Sequence, residues 1–218
     1  MKIQSGGLEI DLLPGRAAFL PNSSTLVVAD LHLGKSATFR ARGLAIPEGS
    51  TRADFQRLEE IVASTGAGQL VIAGDLIHST DGWNETTQKE LIDWLQRVKI
   101  PTILTEGNHD QRSHRGYQHL PLTVVKEIKI DGVFITHDPA DLSPGQPGIA
   151  GHLHPGVRIK ESARRSFKMP CFHLNKMNHL VLPAFSEFTG TQIINPGQGD
   201  RFFVEIHKRI IELPSGTF

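Results

Sequence analysis

Thr25-Leu26-Val27-Val28-Ala29-Asp30-Leu31-His32 is the stretch on which the reading of this chain turns. A short, β-branched apolar run reads as a buried strand. It ends on a carboxylate, and an imidazole follows two residues later. Related endings recur downstream. Leu70 to Ala73 runs through Gly74 into Asp75, Pro101 to Thr105 leads to Gly107-Asn108-His109-Asp110, and Val133 to Thr136 runs into His137. A fifth polar motif is Gly151-His152-Leu153-His154. In open α/β sheets ligands bind beyond the carboxyl ends of the strands, so these segments are expected to deliver their polar groups to one rim.

Between the strands lie two amphipathic helices. Ser50 or Thr51 can cap the first, with Phe55, Leu58 and Val62 at helical spacing; Asn84 can cap the second, whose inner stripe is Leu91, Leu95 and Val98. Strand, helix, strand, helix, strand is the α/β pattern. The later half differs. Val124 to Ile130 and Val133 to Thr136 flank Asp131-Gly132, a strong hairpin turn. His179 to Leu182 and Arg201 to Ile206 read as further strands, and Asp138 to Gly148, with its prolines and glycines, reads as a loop. Parallel units first and antiparallel strands later predict an α/β sandwich of two mixed β-sheets flanked by helices, in a single domain spanning 1–218.

Composition sets limits. A chain of 218 residues can bury a sizeable core. No apolar run is long enough to span a bilayer, and Met1 to Leu13 does not read as a signal peptide, so a cytoplasmic location without membrane contact is the expectation. Cys171 is the lone cysteine, which excludes an intrachain disulfide and a thiolate zinc cage and reads as a small buried hydrophobe. Formal net charge is zero, which argues against a strong sequence-independent grip on duplex nucleic acid. It leaves weak contact with a single strand open.

The recurrent polar endings have the chemistry of a metal site. Asp30 and His32 are two apart, so in extended backbone both point one way, and His152 and His154 repeat that spacing. Glycines 74, 107 and 151 precede ligand candidates, where the backbone must turn tightly. Asp75 has two oxygens and can bridge two cations, and Asn108 offers a neutral carbonyl oxygen. Two divalent ions would bring four positive charges. Asp30, Asp75 and a bridging hydroxide offset three, and a phosphate substrate offsets the rest. Ions about 3.5–4 Å apart would activate water and clamp phosphoryl oxygens. Mixed nitrogen and oxygen donors favour manganese or iron, with zinc compatible. The other histidines (His78, His114, His119, His173, His179, His207) read as core or surface residues, with His78 and His114 near enough to support the ligands.

In these motifs the chain resembles the calcineurin-like metallophosphoesterases, whose pattern is D-x-H, G-D, G-N-H-D/E, H and G-H-x-H; the match spans residues 30–154. The resemblance implies one ion on Asp30, His32, Asp75 and His154, and a second on Asp75, Asn108, His137 and His152. It implies that His109 contacts the scissile phosphate and protonates the leaving oxygen, with Asp110 positioning or tuning it. His78 departs from the Asp or Asn frequent there. A narrower resemblance, carried by Asp30 to Lys35, Phe39 to Leu44 with Pro47, Leu182 to Phe185 and Phe188 to Gly190, is to the ligase-associated DNA damage response endonucleases. It implies a bacterial, manganese-dependent enzyme acting on DNA in functional association with a DNA ligase and a helicase.

Basic groups flank the ligand motifs: Lys35, Arg40 and Arg42; Arg112 and Arg115; and Arg158, Lys160, Arg164, Arg165 and Lys168. Arginine suits phosphate oxygens, and Arg40 and Arg42 are the preferred substrate contacts alongside Asn108 and His109. Aromatics are few; Phe39, Trp83 and Tyr117 are the candidates for stacking on a base. With no P-loop, no Ser-His-Asp order and no usable cysteine nucleophile, direct attack by water is expected. The favoured function is a phosphodiesterase cutting single-stranded DNA. The alternatives are a phosphoesterase acting on a nucleotide, cyclic nucleotide or pyrophosphate, and a non-catalytic scaffold, which would be expected to have lost a ligand or His109.

Overall fold

The computed structural model describes residues 1–46, 49–113, 119–162 and 165–214, the side chains of 160–162 excepted. Pro47, His114, Arg115, Tyr117 and Arg164 therefore lie outside the described residues, as does the Lys160 side chain. The chain opens with strands that its sequence does not announce. β1 (Lys2–Ser5), β2 (Leu8–Leu13) and β3 (Ala17–Leu20) form an antiparallel meander that leads into β4 (Thr25–Val28). Antiparallel pairing thus comes first as well as last, contrary to the order expected above. From β4 the sheet turns parallel, adding β5 (Gln69–Ala73), β6 (Thr102–Thr105) and β7 (Thr123–Val125).

The segment expected as one strand, Val124 to Ile130, is divided at Lys126. Its first part is β7, the edge of the first sheet. Its second, β8 (Glu127–Ile130), is the edge of a second sheet and pairs antiparallel with β9 (Val133–Thr136). The turn between them is the expected one: Asp131 and Gly132 both have positive φ, 52° and 85°. The second sheet continues through β10 (Gly148–Ala150), β11 (Pro155–Ser162), β12 (Arg165–Leu174), β13 (His179–Val181) and β14 (Gln192–Ile193), ordered β14-β11-β12-β13-β10-β9-β8; β15 (Arg201–Ile206) pairs with β12, and β16 (Arg209–Glu212) with β15. Both sheets are mixed. The loop from Asp138 holds a 3-10 turn, Pro139–Asp141, before β10.

Period-two alternation sorts the core. Leu26, Val28, Leu70 and Ile72 face α2 (Ser50–Thr65) and α3 (Glu85–Val98), meeting Phe55, Leu58, Ile61, Leu91 and Trp94. Their neighbours Val27, Ala29, Val71 and Ala73 face the second sheet, meeting Ile135, Ile149, Leu180 and Phe203. Both faces of β4 and β5 are therefore dry, which is why their sequences read as unbroken apolar runs. Phe55 stacks on Trp94, 5.1 Å between centroids, and so joins the two helices. Ile61, rather than Val62, completes the buried stripe of α2.

Helix starts split the sequence reading. Asn84 caps α3 as expected, accepting from the Thr87 amide at 3.0 Å. For α2 the cap is Gly49, with φ 97°, and the Ser50 hydroxyl donates to Ser36 instead. Cys171 is buried in β12, and burial pushes its thiol up to about 12, consistent with an inert hydrophobe. Among the described residues no helix is long and apolar enough to cross a membrane.

Candidate metal centre

Beyond the carboxyl ends of β4 and β5 the two segments stay zipped together. Asp30 N donates to Gly74 O, His32 N to Asp75 O, Leu33 N to Leu76 O and His78 N to Leu33 O. The second sheet closes over this rim. Gly151 N donates to His137 O, and His152 N donates to both Asp30 carboxylate oxygens at 3.2 and 3.0 Å. The donors from five chain-distant segments therefore meet where the sheets meet.

The backbone there is not the extended one anticipated. Asp30, His32, Asp75, His152 and His154 have φ of 56°, 45°, 49°, 69° and 45°. Each sits in the left-handed region, which costs a non-glycine residue free energy and concentrates at functional sites. The two-residue spacing brings the side chains together through sharp turns, not through strand alternation.

The three glycines serve the same crowding. A Cβ on Gly74 would overlap the His137 ring; on Gly107, the Asp75 carboxylate; on Gly151 it would lie 2.6 Å from Asp30 Oδ2. They are needed because ligand side chains occupy the space, a reason beyond tight turning.

Among the described residues three donor clusters result, one of imidazoles alone (His32, His78 and His109) and two that mix carboxylate with imidazole. Asp30, His32 and His154 form one: His32 Nε2 lies 3.2 Å from His154 Nε2, and His154 Nε2 lies 3.5 Å from Asp30 Oδ1. Asp75, His137 and His152 form the other: His137 Nε2 is 3.5 Å from Asp75 Oδ1 and 3.0 Å from His152 Nδ1. Asn108 joins the second, its Oδ1 3.0 Å from His137 Nε2. Asp75 links the clusters, since its Oδ2 is 3.8 Å from His32 Nε2. Asp30, His32, Asp75 and His137 form a buried floor, while Asn108, His152 and His154 are half-buried toward the mouth.

This donor set fits divalent ions. Among the described residues no lysine or arginine forms an ion pair with Asp30 or Asp75. Burial, reinforced by the nearby Asp30 charge, raises the Asp75 pKa, and burial holds His32 well below its ordinary value, so it is neutral and has a lone pair to give. The partners behind the rings set the tautomers. His137 Nδ1 donates to Ala73 O at 3.3 Å, leaving Nε2 to face the donors. His32 Nδ1 contacts His78 Nδ1 at 3.4 Å.

His109 lies at the mouth on α4 (Asn108–Arg112), with Nε2 4.0 Å from Asp75 Oδ2. Its Nδ1 donates to the His78 carbonyl at 2.6 Å, and its ring stacks on His78 at 5.3 Å. That carbonyl orients the ring, a role expected of Asp110. The Asp110 carboxylate instead accepts from Gly107 N and Ile77 N, at 3.0 and 2.9 Å, and so ties the Asn108 loop to the Asp75 loop. Burial, with positive charge from Lys35, His109 and Arg42, lowers the His78 pKa to about 4.

The basic flank divides. Lys35, on α1 (Lys35–Ala41), feels both Asp30 and Asp75 and donates to Thr189 Oγ1 at 3.2 Å; burial lowers its pKa. Arg42 is exposed, near His78 and 3.6 Å from Asp81. Arg40 lines a cleft with Ser36, Gly49, Arg52 and Asn84. Phe39 lies 6.3 Å from His78 and 5.7 Å from Phe188, so these rings extend a half-buried aromatic row from His109. Trp83 packs against the core. Asp138, 3.8 Å from His152 Nε2, was missed; its adjacency to His137 was the one available signal. Away from the site, His173 and His179 are buried, and His119 and His207 are exposed.

The sequence profile of the calcineurin-like phosphoesterases matches residues 23–205, and the chain belongs to that family. It is by class a metal-dependent phosphoesterase. Among solved structures it is similar to the Pseudomonas putida nuclease MPE, at 30% identity and TM-score 0.82, covering 98% of this chain and 99% of that one. Yfce, a phosphoesterase from E. coli, matches at 18% identity and TM-score 0.41, covering 87% of this chain and 97% of that one. A search of curated proteins finds no match.

Proposed function

We propose that this chain is a phosphodiesterase that cuts single-stranded DNA, acting as a single domain in bacterial DNA repair in the cytoplasm, in functional association with a DNA ligase and a helicase. The observation that carries the catalytic reading is the meeting of the Asp30 and Asp75 clusters, linked through Asp75, with His109 at their mouth. The nuclease reading is supported by the likeness to the P. putida nuclease and by the Asp30–Leu44 and Leu182–Gly190 runs.

Asp30, His32, Asp75 and His154 would hold one divalent ion, and Asp75, Asn108, His137 and His152 the other, with manganese or iron favoured by the mixed donors. When bound, such a pair supplies activated water and neutralises charge on the phosphoryl oxygens. The chain's own groups supply the rest. With Nδ1–H committed to the His78 carbonyl, His109 presents Nε2 to the mouth; the doubly protonated ring gives its Nε2 proton to the leaving oxygen and is left as the neutral Nδ1–H tautomer. Asp110 keeps the Asn108 and Asp75 loops in register. Arg42, the exposed guanidinium near His78, would meet a flanking phosphate.

The test presents a bis-aryl phosphate, a mono-aryl phosphate and circular single-stranded DNA side by side across manganese, iron and zinc. Turnover of the diester and linearisation of the circle are expected. Intact circles with turnover confined to the monoester or to a cyclic nucleotide would replace the nuclease reading with a small-molecule one.

A further inference from the structure

The neutral total charge of this chain hides a local concentration. Residues 155–170 hold five basic residues and one acidic residue, so the rest of the chain is net acidic. Within it β11 pairs antiparallel with the start of β12, and β11 begins at the residue after the metal-ligand candidate His154. Its register sets Arg158 directly opposite Lys168, and Val157 opposite Met169. Cross-strand partners share a face, so the hairpin has a basic side and an apolar side. The apolar side is committed: Val157 and Met169 pack with Cys171, Phe202 and Val204. The basic side is open, with Arg158 and Lys168 exposed. Among the described residues no carboxylate pairs with either cation, and the Arg158 guanidinium donates to the Ser166 hydroxyl at 3.4 Å.

Like charges directly opposite on a sheet weaken the pairing. Two unpaired cations at such a position suit a ligand that brings negative charge to both. A strand rises about 3.3 Å per residue, which keeps Arg158 within about 13 Å of His154.

Building on the nuclease reading, we propose that the Arg158–Lys168 face of this hairpin is a second contact for the substrate: it holds phosphates of the single strand a few nucleotides away from the one being cut. A small diester cannot reach both places, so the hairpin acts on polymer and not on the chemical step.

The test is the Arg158→Gln/Lys168→Gln double variant. Turnover of a bis-aryl phosphate with manganese is expected to match wild type. Anisotropy with a labelled thymidine 20-mer, the protein loaded with calcium, is expected to show affinity about ten-fold weaker at low salt. The slope of log affinity against log salt should be shallower by about 1.4, since each lost single-strand contact removes about 0.7. Unchanged affinity and slope would overturn the proposal, as would equal loss of small-diester turnover, which would make the hairpin a support of the metal centre. Equal wild-type affinity for a duplex of the same length would overturn the single-strand partner. If wild type hydrolyses the small diester but spares DNA, the nuclease reading fails, while the anisotropy still decides the hairpin.

Discussion

The two sheets equip the metal centre differently. The first supplies the buried carboxylates Asp30 and Asp75 and the amide of Asn108, together with His32 and His109, from the ends of β4, β5 and β6. The second supplies imidazoles, His137, His152 and His154, flanking β9 and β10, with the half-exposed Asp138 carboxylate at their edge, 3.8 Å from His152 Nε2. One side carries the two buried carboxylates, and the other carries imidazole rings with a single half-exposed carboxylate at the edge. Desolvated like charges strain a fold without cations, whereas neutral rings do not. The first sheet therefore bears the cost of the metal-free state, and the second fits over it with little electrostatic penalty.

The sharpest way to break this contrast is Asp75→Asn, which removes the charge from the link between clusters. Metal content and diester turnover should fall to background, while the chelated protein melts at a higher temperature than chelated wild type. A lower melting temperature would show that Asp75 carries no electrostatic penalty. His152→Ala, on the imidazole side, should keep a measurable share of bound metal and leave chelated stability nearly unchanged. Next in size is His109→Ala. Turnover should drop by about 10²–10⁴-fold with full metal content by elemental analysis, as for loss of a general acid; equal activity would remove His109 from the proton transfer.

Gly107→Ala sharpens the packing argument, since its Cβ would enter the Asp75 carboxylate. Misplacing that group should cost about a hundred-fold in turnover, with a folded circular dichroism spectrum. An active Gly107→Ala protein would mean that the loop yields freely. The smallest effect is with pH. His32 and His78 are held below the value of about 6.5 that a histidine has when unfolded. Their contribution to stability is full above that value and is lost as pH falls through it, because the unfolded chain takes up protons that the fold refuses. The urea midpoint of the chelated protein should drop between pH 7.5 and 5. Asp75, with its raised value, works in the opposite direction and tempers the drop. A His78→Asn variant should show a smaller drop; an identical one would assign the effect elsewhere.

Much of this was legible because buried strands advertise themselves. β4, β5, β6 and β9 are short apolar runs that end on donors, so the layer pattern and the rim could be read from the residues. The N-terminal meander was not legible. β1 and β2 alternate exposed and buried positions, and Lys2, Glu9 and Asp11 break any run of apolar residues. The division at Lys126 was hidden for a related reason: β7 and β8 are half-exposed edges, and nothing in Val124 to Ile130 marks a change of sheet. At the site the identity of the groups could be read, but their conformation could not. Left-handed turns at Asp30 and His32 arise from pairing with the neighbouring loop, which no local spacing encodes. The failure at α2 is similar, for Gly49 caps it while Ser50 is drawn off to Ser36.

Gly74, Gly107 and Gly151 give no atom to an ion, a proton or a phosphate, yet each occupies the space against which a donor rests. In a saturation screen read out by diester hydrolysis these positions should be as intolerant as Asp75 itself. A search for designed or natural variants that kept every coordinating side chain and altered one of these three would return inactive proteins whose defect no inventory of reactive groups could explain.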